Sequence, residues 1–236
     1  MALCSQNGIQ SLSIASIVVW MKHEFYDEDD LKVVGRCKAI GFKAICNSRN
    51  QFLVNNWRLG VTWTSISPRT CQWVPPSDKM WALHCDGSLT HDRAGYGGII
   101  RDSRGQSILA FAGKGVVRSV LYMELMAMLK GVDLCKKLNL LRISVRSDSN
   151  VAVDIINGQV EGPWEIQTLK SKILHLLKEF ERKEIIHVWR ESNSPADFMA
   201  TYDTGDGEAN IRPEDFPQDL QSLVDLDASR TVYFRK

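Results

Sequence analysis

An α/β domain, built on a mixed five-stranded sheet flanked by helices, is the fold class that the sequence predicts, and three observations carry it. Three short strand-like segments follow one another from Trp81, joined by turn chemistry. At Leu121 the pattern changes to a helical period. Beyond that helix, strand-like and helix-like segments alternate to about Ala200, which implies a sheet covered by helices.

The elements follow in order. Residues 81–87 read as a strand ending in Asp-Gly, with further strands at 95–101 and 106–113. Between the last two, Asp102-Ser-Arg-Gly105 has hairpin chemistry. Leu121, Leu125, Met128, Val132 and Cys135 fall on one face of a helix. Residues 141–147 form a β-branched strand, after which Asp148 or Ser149 caps a short helix stopped by Gly158. Pro163 opens another helix, whose apolar face holds Ile166, Leu169, Ile173, Leu176, Leu177 and Phe180. A last strand is expected at 185–190, then a helix with Ser194 as its cap and Pro195 in its first turn.

Upstream the signals are weaker. Residues 31–56 carry a mostly helical pattern, and 61–77 contain three prolines, which mark a linker. The chain is therefore divided into a partly helical extension (1–72), a proline-rich lead-in (73–80), the α/β domain (81–201) and an acidic C-terminal tail (202–236).

The net charge of +1 excludes a polycation, so any nucleic-acid contact must be local. Six basic and no acidic residues lie between Lys32 and Arg58, against eight acidic and four basic between Asp203 and Lys236. A basic front can meet a polyanion, and solvated helix faces of different sign explain the same asymmetry. The six cysteines show no Cys-x-x-Cys pair and no zinc spacing, so they read as reduced thiols of an intracellular protein in cytosol or nucleus. No stretch has the length of a membrane span or the form of a signal peptide.

Four acids stand at suggestive places. Asp86 ends the first strand, Asp148 ends the fourth, and Asp197 lies in the first turn of the last helix. At 100° per residue, Glu124 sits roughly 60° from the centre of its helix's apolar stripe, at the edge of the sheet. Carboxylates brought together there repel one another, and divalent cations with oxygen preference relieve the repulsion. Two such ions can activate a water and stabilise the leaving oxygen of a phosphodiester. Singly, each acid is also explained as a turn residue, a helix N-terminal acid or a surface glutamate.

The motifs then become recognisable. His84-Cys-Asp-Gly-Ser88, Ala94-Gly-Tyr-Gly-Gly-Ile-Ile-Arg-Asp102, Met123-Glu-Leu-Met-Ala127, Arg146-Ser-Asp-Ser149, Gly162-Pro-Trp164 and the run from His187 to Ala200 together resemble the plant ribonuclease H-like domain of non-LTR retroelements. Trp73-Val-Pro-Pro76 resembles its lead-in, Ser48-Arg-Asn50 the end of a helix linking it to a reverse transcriptase, and 216–235 a tail of some members. The resemblance implies a ribonuclease H fold and a monomer that cleaves the RNA strand of RNA–DNA hybrids with Mg²⁺ or Mn²⁺. Asp86, Glu124, Asp148 and Asp197 match the metal ligands position by position. Gly87, Ser88 and Asn193, beside those acids, are candidates for contact with the hybrid, and each is equally explained by local backbone structure. Arg146 stands where the family commonly has an acid, and Met123 where it has a small residue. A catalytically inactive nucleic-acid-binding or protein-interaction module on the same fold, and a related 3′–5′ exonuclease, are the competing readings.

Overall fold

A computed structural model describes residues 43–47, 51–55, 70–77, 79–205 and 207–234, the first two segments by backbone alone. The chain divides into two compact units, Met1–Pro68 and Arg69–Lys236.

In the first unit, strands β1 (Lys43–Asn47) and β2 (Gln51–Asn55) pair antiparallel, with Ile45 opposite Leu53. This corrects the helix expected over 31–56: Ile45, Phe52 and Val54 are strand formers, and pairing between two short segments overrides a helical pattern already weakened by Gly35 and Gly41. The remainder of that helix, the acidic residues 27–30 and the linker-like Ser48-Arg-Asn50 lie outside the described residues.

The second unit opens with β3 (Thr70–Cys71) and then the expected meander, β4 (Trp81–Leu89), β5 (Ala94–Arg101) and β6 (Ser107–Lys114), antiparallel throughout. The Asp102 carboxylate closes the β5–β6 turn by accepting from the backbone N–H groups of Arg104 and Gln106, each at 2.8 Å. Helix α1 (Val120–Lys137) starts where the Ser119 hydroxyl accepts from the Tyr122 N–H. It leads to β7 (Arg142–Ser147), which lies parallel to β4. Next come α2 (Asn150–Ile156), capped by Ser149, and α3 (Gln167–Leu177), which bring the chain back as β8 (Arg182–His187), parallel to β7. Finally α4 (Ser194–Thr201), β9 (Glu208–Ile211), α5 (Gln218–Ala228) and β10 (Tyr233–Phe234) follow.

The sheet runs β8-β7-β4-β5-β6-β9. Five strands carry the expected α/β fold, a mixed sheet flanked by helices. The sixth corrects the count: β9 comes from the segment expected as an acidic tail and pairs with β6, Phe111 opposite Asn210. The tail also supplies α5, which buries Leu220 and Val224, and β10, which pairs with β3.

Alternation along the strands builds two cores. On one face Leu83, Cys85, Ile100, Phe111, Ile143 and Val145 meet the apolar sides of α1, α2 and α3. On the other, Ile99, Ala110 and Ala112 meet Met199 of α4 and Leu220 and Val224 of α5. Covered on both sides, β5 is buried along its whole length. Gly97 permits the approach of α4, since a Cβ there would lie 2.3 Å from the Met199 carbonyl carbon.

Several boundaries differ from expectation. β4 runs on to Leu89, held by its pairing with β5, so Asp86 lies within the strand and does not end it. The last strand begins and ends three residues early because its parallel register with β7 runs from Arg142 opposite Arg182 to Ser147 opposite His187. Helix α4 is entered from Asn193, not capped by Ser194, whose hydroxyl instead donates to the Glu191 carbonyl. Trp164, a natural packing anchor by its size, is 82% exposed in the short 3-10 turn before α3.

Candidate metal centre

Asp86 reaches the site from within β4, three residues before its end, and Asp148 from the residue following β7, the parallel neighbour of β4. Parallel pairing of these two central strands, with His84 opposite Arg146, sets the two acids two residues further on side by side. Glu124 comes in from α1, buried although it stands at the edge of the helix's apolar stripe. Each of the three offers a carboxylate oxygen, and these oxygens lie within 4.8 Å of one another.

Close approach of α1 to β4 makes this convergence possible. A Cβ on Gly87 would fall 2.3 Å from the Glu124 nitrogen, so only glycine admits the helix here. The Gly87 backbone amide also favours the charged form of the Glu124 carboxylate. The Ser147 hydroxyl donates to Glu124 Oε2 at 3.2 Å and accepts from the Ser149 N–H at 3.1 Å. Ser147 was not among the residues expected from sequence. Its signal was its place in Arg146-Ser-Asp-Ser149, one residue before an acid at a strand end.

The electrostatics follow from crowding. Burial first, then the charges of Glu124 and Asp148, pushes the Asp86 carboxyl up to about 10. Burial and the Asp148 charge push Glu124 up to about 8, against the opposing pull of Ser147, Gly87 and Arg190. Buried carboxylates that resist joint ionisation, with oxygen as their only donor type, fit a hard divalent cation.

Asp197 stands apart from the three. Its Oδ1 accepts from Arg190 Nη2 at 2.8 Å on the exposed rim, and it adds to the upward push on Asp86. The Arg190 guanidinium is held above its ordinary range by Asp197, with smaller contributions from Asp148 and Asp86. A cation at the mouth of the acid cluster was not foreseen. Arg190 and Asp197 are separated by a 3-10 turn and the entry of α4, and sequence spacing does not reveal that they meet.

Of the residues expected to touch a hybrid, Ser88 is half-buried beside Asp86, whereas Gly87 and Asn193 are buried. Asn193 is 0% exposed and bonds His84 Nδ1 and the Cys85 carbonyl, each at 3.0 Å. This corrects its expected role: its polar atoms are spent inside the domain. Arg146 is likewise turned inward, its guanidinium bonding Ser144 Oγ and the Val74 carbonyl, and burial lowers it to about 10. His187 packs edge-on against Trp189, ring centroids 5.0 Å apart, and Met123 and Met128 are core residues.

Among the described residues, no helix is long and apolar enough to cross a membrane. Cys71, Cys85 and Cys135 are buried thiols.

The model of the reverse transcriptase-like family matches residues 84–202. No curated protein matches the chain. Among solved structures, RNase H1 of the halophilic archaeon Halobacterium salinarum NRC-1 is 18% identical with a TM-score of 0.49, over 51% of this chain and 94% of that one. The N-terminal RNase H domain of a Mycobacterium tuberculosis protein is 21% identical with a TM-score of 0.49, over 51% and 90%. LC11-RNase H1, solved in complex with an RNA/DNA hybrid, is 23% identical with a TM-score of 0.46, over 50% and 92%.

Proposed function

The chain belongs to the reverse transcriptase-like family, and from that premise we propose that it is a metal-dependent endonuclease hydrolysing the RNA strand of RNA–DNA hybrids. One observation carries the proposal: Asp86, Glu124 and Asp148 bring carboxylate oxygens within 4.8 Å of one another, from two central strands and the helix packed on them. Asp86 and Asp148 would be the central ligands of Mg²⁺ or Mn²⁺, with Glu124 and Asp197 flanking them. The ions, when bound, supply a water active at neutral pH and stabilisation of the leaving 3′ oxygen.

The chain's own residues do the rest. Ser147 fixes the direction of Glu124 by a hydrogen bond and the Gly87 amide favours its charge, so the ligand set is organised before an ion arrives. Arg190, 75% exposed in its side chain, and half-exposed Trp189 stand at the rim, where they are available to a phosphate and a sugar of the hybrid. Ser88, beside Asp86, is placed to test for a 2′-hydroxyl, the group that distinguishes RNA from DNA. The motif resemblance extends the proposal to the plant, non-LTR retroelement type.

A second reading has one observation in its favour. Asp197 is paired with Arg190 instead of joining the other acids, as suits a domain that binds nucleic acid without cutting it. A substrate panel separates the readings. We expect Mg²⁺- or Mn²⁺-dependent cleavage of labelled RNA in an RNA–DNA hybrid, and no cleavage of duplex RNA or single-stranded DNA. Retention of the hybrid without turnover would support the binding module, and cleavage of single-stranded DNA from one end would support an exonuclease.

A further inference from the structure

Behind the acids lies a chain of buried polar groups that the reaction itself does not touch. The Trp73 indole Nε1–H donates to His84 Nε2 at 3.0 Å. His84 Nδ1 lies 3.0 Å from Asn193 Oδ1, and Asn193 Nδ2 donates to the Cys85 carbonyl at 3.0 Å. His84 and Asn193 are 0% exposed and Trp73 is 3% exposed. We propose that Trp73, His84 and Asn193 are positioning residues: a one-directional relay that locks the start of α4 to β4 and so sets Asp197 relative to Asp86.

Every role in the relay is forced. An indole nitrogen only donates, so His84 Nε2 must accept and carries no proton. A carbonyl only accepts, so the amide nitrogen of Asn193 must face Cys85, leaving its oxygen toward His84. His84 Nδ1 must then donate. The ring is thus a neutral imidazole in a single tautomer, with a donor behind it and an acceptor before it.

Both ends of the relay meet the site. Cys85 directly precedes Asp86, and His84 lies two residues before it on the same face of β4. At the other end, the Asn193 carbonyl accepts from the N–H groups of Ala196, at 2.9 Å, and Asp197, at 3.1 Å. The side chain of one residue therefore grips the strand that carries one acid, while its backbone grips the turn that carries another. Trp73 lies outside the segment matched by the family model, in the lead-in. Its ring sits under Arg101, 4.4 Å from the guanidinium carbon, and Arg101 pairs with Asp227 of α5 at 2.7 Å. The lead-in and the C-terminal helix are thereby tied to the spacing of the acids.

The consequence for metal binding rests on the nuclease reading; the relay does not. The test uses the full chain labelled with ¹⁵N-histidine. NMR of wild type should show His84 with its proton on Nδ1 and a bare Nε2; a proton on Nε2, or on both nitrogens, overturns the relay. Trp73→Phe keeps an aromatic ring under Arg101 and removes the N–H together with the pyrrole ring that carries it. This variant should lose the fixed tautomer, bind Mn²⁺ about tenfold more weakly by calorimetry, and show a lowered kcat on hybrid with unchanged KM. Thermal unfolding should confirm that it remains folded, a check that Asn193→Ala could fail. A Trp73→Phe protein that keeps the tautomer, or loses it while binding Mn²⁺ as wild type does, contradicts the positioning role. Should wild type neither bind Mn²⁺ nor cut hybrid, the nuclease reading fails, and the tautomer in wild type and Trp73→Phe still decides whether the relay exists.

Discussion

Asp86 and Glu124 are buried beside a third carboxylate, so ionising them costs the folded state. Asp86 is raised to about 10 and Glu124 to about 8, against unfolded values of roughly 4. Between those limits the folded state binds more protons than the unfolded one. The stability these two groups contribute is whole below about pH 4 and is lost as pH rises through about 8 for Glu124 and about 10 for Asp86. Metal-free protein should therefore unfold at a lower temperature at about pH 8 than at about pH 6, and saturating Mn²⁺ should remove most of that difference. A metal-free melting temperature that rises over this interval contradicts the assignment. Asp86→Asn, which removes the most strongly perturbed carboxylate, should melt higher than wild type at about pH 8 without metal. Gly87 makes the opposite case: a Cβ would press on the backbone of α1, so Gly87→Ala should cost about 1–3 kcal/mol. Urea unfolding measures this, and metal affinity should fall with it.

At the scale of elements, the strands and helices between β4 and α4 were legible because each has its own period and its own punctuation. The Asp102 turn, the Ser149 cap and the apolar face of α1 are all signals contained within a few residues. Elements that depend on distant partners were not legible. β9 is a four-residue polar strand, Glu-Ala-Asn-Ile, which exists only because β6 offers it an edge. α5 looked like acidic tail because Asp219, Asp225 and Asp227 dominate its composition, whereas Leu220 and Val224, one turn apart, bury it. Asp227 is not solvated at all. It pairs with Arg101 at 2.7 Å with both side chains 0% exposed, and the Tyr233 hydroxyl donates to it at 2.8 Å. Burial pushes Arg101 down and Asp227 up, and their contact opposes both shifts. Removing one partner leaves a charge stranded in the core, so Asp227→Ala should destabilise the domain by about 3–5 kcal/mol in chemical unfolding. An unchanged unfolding midpoint would mean that α5 is peripheral.

For the whole molecule, the folded unit is larger than the segment its family defines. The match spans residues 84–202, whereas the compact unit spans Arg69–Lys236. β3 and β10 join its two ends, and the Trp73–Arg101–Asp227 contacts lie between them. A chain of residues 69–236 should therefore unfold in one cooperative transition, and a chain ending at 202 should not; circular dichroism on heating distinguishes them. The acids were legible as four separate positions on strand ends and helix edges. That three of them converge, while Asp197 meets Arg190, depends on sheet register and on the path into α4, which no local pattern encodes. Cleavage of a labelled RNA–DNA hybrid with Mg²⁺ or Mn²⁺, by wild type beside a folded Asp148→Asn control, tests the central claim most directly. Metal-dependent cutting of the RNA strand that falls by at least about a hundredfold in the control is the result expected of a lost ligand. Hybrid left intact by a folded, metal-saturated wild type would contradict it.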